Sequence, residues 1–258
     1  MMAAKESYAV LLAMLFSGAA GLVGTFALLN RMVLAADVIS HFALPGLGLA
    51  FLLGLDPVIG AASTLLVGTV WVWLIQRKTN LATEATIGVI FAAALAIGAL
   101  ITPSGDLVEA LFGGLTGASL TSVLLGVVAC ALVVGFMLWH KAQLLLMLFS
   151  PDLAVVTGVP VTRLQLYFLL VFSLTILMGL RFMGALLTSA LIIVPAVTAR
   201  QVSNRPAVLF MAAPLLGSAS VIGGVLLNRF VLKAGTAAPG IVLVSVLFFG
   251  LSLLRKRA

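Results

Sequence analysis

Residues 8–29 read YAVLLAMLFSGAAGLVGTFALL, with no charged side chain in 22 positions. A helix needs about 20 apolar residues to cross a hydrocarbon layer about 30 Å thick. This run meets that length and shows none of the strict alternation that marks the strands of a membrane barrel. Similar runs follow at 33–54, 57–76, 84–101, 120–140, 163–181, 183–198, 206–227 and 238–254. Between them stand Arg31, Asp56-Pro57, Arg77-Lys78, Thr102-Pro103-Ser104-Gly105, Lys141 to Pro160, a tight 181–184 turn, Arg200 to Pro206 and Arg229 to Pro239. The expectation is an all-α polytopic membrane bundle of about nine helices. It becomes eight if the short 183–198 run, which ends near Pro195, joins its neighbour. Residues 1–258 then form one transmembrane domain.

Composition agrees. The 258 residues are 63% hydrophobic and 8% charged, with a mean hydropathy of +1.32. Ordinary soluble domains are roughly 45–50% apolar and about 25% charged. The net charge of +7 would suggest nucleic acid on a soluble protein. Here the basic residues sit between apolar runs, where they orient helices, and no nucleic-acid partner is expected. The single cysteine, Cys130, lies inside an apolar run and offers no intrachain disulfide. No persuasive cleavage site follows the first run, so 8–29 is read as a retained helix rather than a signal peptide.

Lysine and arginine set the orientation. With the N-terminus outside and nine alternating helices, Arg31, Arg77, Lys78, Lys141, Arg163, Arg200, Arg205, Arg255, Lys256 and Arg257 fall inside. Lys5, Arg181, Arg229 and Lys233 fall outside. The C-terminus is therefore expected in the cytoplasm.

Two segments do not read as spans. Residues 104–118 set Asp106 and Glu109 against Leu107, Leu111 and Phe112, as a short amphipathic helix on the outer surface would. In the inner loop 141–162, Ser150-Pro151-Asp152 is a helix start and Gly158 with Pro160 a helix stop. A two-turn helix over 151–157 is expected across the cytoplasmic face, with Leu153, Val155 and Val156 giving it an apolar surface; on local pattern alone it could simply pack on the bundle.

Enzyme machinery is missing from the pattern. There is no phosphate loop, no H-E-x-x-H and no G-x-S-x-G, and the chain is read as a non-enzyme. Most of the 25 glycines lie in apolar runs, where small residues let helices approach. One constellation carries chemistry: Asp37-Val38-Ile39-Ser40-His41, followed by Leu44-Pro45-Gly46. Asp37 and His41 are one helical turn apart, inside an apolar run where an ionisable group is costly without a partner or cavity. Carboxylate plus imidazole suits Zn²⁺, Mn²⁺ or Fe²⁺. The pair is half a site, and a dimer about a central axis would supply the rest. Pro45-Gly46 is the expected helix kink. The alternative is that Asp37 pairs with Arg31 while His41 is a packed histidine. His140 reads as an interfacial anchor, Arg181 as a snorkelling helix end and Glu84 as a helix-start charge. Met178, Met183 and Met211 read as packing residues. Ser40 with Pro45 and Ser189 with Pro195 are loosely alike, but the spacing differs by one and no internal repeat is inferred.

The stretch from Arg31 to Gly46 resembles R-R-M-x-L-x-G-D-A-x-S-H-x-x-L-P-G, a pattern of the membrane subunits of zinc/manganese/iron ABC importers. Thr83 to Gly88 is similar to that family's E-D-x-x-I-G. Phe149 to Ala154 with Gly158-Val159-Pro160 resembles F-D-P-E-x-A…G-V-P. Leu180 to Leu191 with Pro195-Ala196 resembles L-R-x-V-G-x-L-L-x-x-A-L-L-x-x-P-A. Asn30, Ala36 and Ser150 depart from the pattern, but D-x-x-S-H is intact. The resemblance implies a type II ABC importer permease in a bacterial inner membrane: a homodimer with two cytoplasmic ATP-binding subunits and an extracytoplasmic metal-binding protein. It implies Asp37 and His41 as ligands of the transported metal, with no permanently bound cofactor. It further implies that Ser150, Pro151, Asp152, Leu153, Ala154, Val155, Val156, Thr157, Gly158 and Val159 form the coupling segment on the ATPase. A stand-alone proton-coupled metal transporter and a permease for a siderophore- or cobalamin-like chelate are the competing readings.

The charge distribution predicts that a reporter fused after Ala258 reads cytoplasm and one inserted at residue 104 reads outside. A cytoplasmic signal at 104 would overturn the helix count between Lys78 and Lys141.

Overall fold

The computed structural model describes residues 2–79, 82–101, 120–232 and 236–254, and among these no strand occurs. The elements are α1 (Met2–Leu29), α2 (Ala35–Ser40), α3 (Ala43–Leu53), α4 (Pro57–Lys78), α5 (Thr83–Ile101), α6 (Leu120–Phe149), α7 (Pro151–Val156), α8 (Val161–Met183), α9 (Ala185–Val202), α10 (Pro206–Leu227), a π-helical turn at Asn228–Leu232, and α11 (Ala238–Leu254). Eight segments are long and apolar enough to cross a membrane, α2 and α3 together making one of them, and α11 is a further apolar helix of 17 residues. The expected amphipathic helix 104–118 lies outside the described residues.

Helix α1 is the centre of the bundle, packed against α6, α8, α9 and α10. Phe16, Ala20, Val23 and Phe26 are buried along it. Phe26 meets Phe168 of α8 edge-on, with ring centroids 4.4 Å apart. Lipid tails are as apolar as leucine side chains, so close packing and small residues must hold such helices together. Gly24 is where α1 touches α9. A Cβ built there would stand 2.0 Å from the Ile192 carbonyl oxygen. Hydroxyl and amide pairs join α4 to α8. Thr69 and Ser173 share a hydrogen bond, Trp73 Nε1 donates to the Thr162 carbonyl at 2.9 Å, and Gln165 Nε2 donates to Gln76 Oε1 at 2.9 Å.

Four features depart from the expected boundaries. First, 33–54 is not one helix: it is interrupted at His41 and Phe42, between α2 and α3. Secondly, α6 does not stop at residue 140 but continues for 30 residues to Phe149, so Lys141 starts no loop. At 1.5 Å per residue this is about 45 Å, longer than the hydrocarbon layer, and α7 follows directly after its end. Lys141 lies on that helix with its Nζ 5.1 Å from the Phe210 ring centroid. Thirdly, the 183–198 run is a separate helix, α9, extending to Val202 after Gly184. Gly184 turns the chain at φ 81° and ψ 166°, a conformation open essentially to glycine. Fourthly, Ser150 precedes α7 but its side chain makes no capping bond; Pro151 provides the first helical position instead.

The far end of α7 is well built. Gly158 has φ 79°. Its N–H donates to the Val155 carbonyl at 3.0 Å, and the Val159 N–H to the Ala154 carbonyl at 2.9 Å. These are the two bonds of a Schellman motif, which satisfies carbonyls the helix would otherwise leave open. Asp56 caps α4 by accepting from the Val58 N–H at 2.8 Å.

Replacing Gly24 by valine forces α1 and α9 apart. The expected cost is about 1–3 kcal/mol, read as a lower melting temperature of the detergent-purified protein; an unchanged melting temperature would mean this crossing does not hold the bundle.

Candidate metal centre

The centre is made by the interruption of the second span. Pro45 has no N–H to offer the His41 carbonyl, which is its acceptor in a continuous helix, and its ring would clash there. The chain responds one turn upstream. The His41 N–H donates to the Val38 carbonyl at 3.3 Å, the Phe42 N–H to the Ile39 carbonyl at 2.9 Å, and the Leu44 N–H to the His41 carbonyl at 3.1 Å. These are three-residue bonds of the 3₁₀ type, the usual way a membrane helix satisfies backbone groups freed by proline. Pro45 falls in the first turn of α3, where a missing N–H costs nothing. Gly46 lies against Gly60 of α4, and a Cβ at Gly46 would stand 2.0 Å from the Gly60 carbonyl oxygen. Phe42 is buried over Gly68.

The result is a six-residue helix, α2, carrying Asp37 in its first turn and His41 at its end. It is bounded upstream by Arg31, the single non-glycine residue with positive φ (60°) among the described residues. Asp37 is exposed on the surface of the single chain and His41 is half-buried. Ser189 Oγ of α9 donates to Asp37 Oδ1 at 3.3 Å. The His41 ring lies 5.5 Å from that of Phe91 on α5. Among the described residues no ion pair joins Asp37 to Arg31, and no group of three histidine, cysteine, aspartate or glutamate side chains is close enough to hold a metal ion. One chain therefore offers one carboxylate and one imidazole on this element.

A cavity of about 120 Å³ adjoins His41, lined among others by Ser40, Leu44, Leu177, Arg181 and Ala185; Asp37 is not part of its wall. Arg181 is exposed, with its guanidinium carbon 5.8 Å from the Phe182 ring centroid. His140, at a distance from this cavity along α6, stacks on Phe136 and its Nδ1 meets the Phe136 carbonyl at 3.2 Å. Glu84 is exposed in the first turn of α5. Ser189 escaped the sequence reading as a site residue. It sits 152 positions from Asp37, and a hydroxyl beside Thr188 in an apolar run does not by itself point to that partner.

The segment Ser150–Val159, expected from the sequence to meet an ATPase, forms α7 and its Schellman turn. Phe149, Leu153, Val155 and Val156 are exposed there and Ala154 is buried against the bundle. The four exposed side chains form an apolar patch that the bundle of the single chain does not cover.

The chain matches the model of the ABC 3 transport family over residues 6–256. It belongs to that family. It is 30% identical over 240 residues to the high-affinity zinc uptake system membrane protein ZnuB of Haemophilus influenzae, covering 91% of each chain. It is 32% identical over 239 residues to the manganese transport system membrane protein MntC of Halalkalibacterium halodurans, covering 90% of this chain and 80% of the relative. Among solved structures it is similar to PsaBC from Streptococcus pneumoniae in complex with Fab, with a TM-score of 0.80, 27% identity, and coverage of 98% of this chain and 95% of that one. This member of the family is a multi-pass ABC transporter permease of the bacterial inner membrane.

Proposed function

We propose that this permease is the translocation subunit of an ATP-driven importer for a divalent transition metal: zinc, manganese or ferrous iron. The observation that carries the reading is Asp37, an exposed carboxylate on an interrupted membrane helix, one turn from His41. Its relatives include proteins named for zinc and for manganese. Carboxylate and imidazole serve all three ions, so the donor set supports a divalent transition metal without choosing among them. Two copies of the chain, paired so that the exposed Asp37 side chains face each other, would bring four ligands to one ion. The whole chain, 1–258, acts as a single transmembrane domain with its N-terminus outside and C-terminus in the cytoplasm.

The energy comes from outside the chain. Two cytoplasmic ATP-binding subunits seat α7 through its exposed Leu153, Val155 and Val156, and an extracytoplasmic metal-binding protein delivers the ion. Differential affinity of the ATP-bound subunits for two arrangements of the permease shifts it between outward and inward states. A proton-coupled secondary transporter would use several acids within its spans. Here Asp56 caps α4, and Glu84 and Asp152 lie in first turns; Asp37 stands apart from them.

Asp37→Asn removes the charge at constant size, and His41→Ala removes the nitrogen ligand. Each should reduce uptake of radioactive zinc and manganese, normalised to membrane-inserted protein, by at least ~10-fold, the lower bound for disturbing even an outer partner of a metal. The double variant should be no worse than either single, because the two act on one ion. Near-normal uptake by both single variants would withdraw the assignment.

Asp152→Lys places a positive charge at the positive end of α7 and alters the face offered to the ATPase. The expected outcome is loss of transport-linked ATP hydrolysis with the permease still inserted and dimeric. Full stimulation of the ATPase by this variant would show that α7 is not the contact.

A further inference from the structure

Hydroxyl side chains inside these helices mostly bond back to their own helix. Thr25 donates to the Gly21 carbonyl at 2.8 Å, Thr188 to Gly184 at 2.6 Å, Thr198 to Val194 at 2.7 Å and Ser220 to Leu216 at 2.8 Å. That back-bond is the default in an apolar medium, because it satisfies the hydroxyl locally. Ser189 does otherwise. It is 6% exposed, and its Oγ crosses to another element to meet Asp37 Oδ1. Its neighbour Thr188, on the same turn of α9, takes the local bond. The difference points to the carboxylate as the reason for Ser189's orientation.

We propose that Ser189 is the positioning residue of the Asp37–His41 centre: it holds Oδ1 of the carboxylate and leaves Oδ2 to face the ion. This rests on the metal-import reading given above. Outer partners of this kind fix the orientation of a ligand and raise its hold on the metal. The need is acute at Asp37, because α2 is six residues long and its chain is broken on both sides. A helix this short is marginal by itself and depends on tertiary contacts to hold its place. The bond also ties α2 to α9. At 3.3 Å it is longer than the roughly 2.5–2.7 Å of a tight hydroxyl–carboxylate bond.

The test uses the permease assembled with its ATP-binding subunits in lipid nanodiscs, without the binding protein, and titrates Mn²⁺ by electron paramagnetic resonance. Ser189→Ala should weaken Mn²⁺ binding ~10-fold or more. Ser189→Thr, which restores a hydroxyl, should bind as the unmodified complex does. Ser189→Val, the same shape as threonine without the hydroxyl, should be as weak as alanine. In an Asp37→Asn background, Ser189→Ala should add no further loss, since the serine acts through that carboxylate. Unchanged binding by Ser189→Ala while Asp37→Asn abolishes it would overturn the role of Ser189 and leave the metal centre standing. Equal weakness of the threonine and valine variants would assign the effect to volume and overturn it too. Unchanged Mn²⁺ binding by Asp37→Asn, or none by the unmodified complex, would remove the centre itself and the positioning role with it.

Discussion

Pro45 cannot donate to the His41 carbonyl, and the candidate centre is a consequence of that one missing bond. Within hydrocarbon a backbone carbonyl has no water to turn to. The chain therefore closes short bonds at Val38, Ile39 and His41 and starts a new helix beyond them. The break keeps α2 short and lets Phe42 drop into the space above Gly68. It also lets α3 come down on α4 until Gly46 and Gly60 meet backbone to backbone. A continuous helix from Ala35 to Leu53 would make Asp37 and His41 two positions on a regular face. The interruption makes them the end groups of a six-residue element wedged among α5, α8 and α9.

The same economy of connections joins the centre to the opposite end of the bundle. Helix α8 contacts both α7 and α2. Near its far end, Leu177 and Arg181 line the cavity beside His41. It spans 23 residues, about 34 Å at 1.5 Å per residue, and is bonded to α4 through Thr69, Trp73 and Gln76. In the proposed importer, α8 is the physical link between the surface that meets the ATPase and the residues that meet the ion.

Much of this was legible in the sequence because the bilayer leaves few choices. Charge-free runs of twenty residues have to be helices, and their order gave the bundle. The errors have physical reasons. Lys141 looked like the end of a span, but a long cationic side chain can lie along apolar surface, as it does over Phe210, and α6 continues beyond it. Proline marked the interruption of the second span, but the carbonyl it orphans is four residues earlier, so the break appears at His41–Phe42. Ser150 has the right chemistry for a cap, yet Pro151 alone starts the helix. Gly158 was readable because a Schellman turn demands a left-handed residue in a fixed place. Ser189 was not readable, because a contact across 152 residues leaves no local pattern.

A site that passes an ion must bind it well enough to accept it and loosely enough to release it. Closed zinc sites use four protein ligands in a tetrahedron, and a single chain here supplies two candidates with no third acid, histidine or cysteine nearby among the described residues. If each chain holds half of the set, the completeness of the site depends on how the two halves face each other. The geometry of the dimer then becomes the control of affinity, with no ligand having to leave its own helix. A centre carried on a short, broken helix and steadied by a long hydroxyl bond suits that task better than one built on a continuous span. The Asp37 carboxylate bonds across from α2 to α9, and the contact of Gly24 on Ile192 joins α9 in turn to α1 at the centre of the bundle.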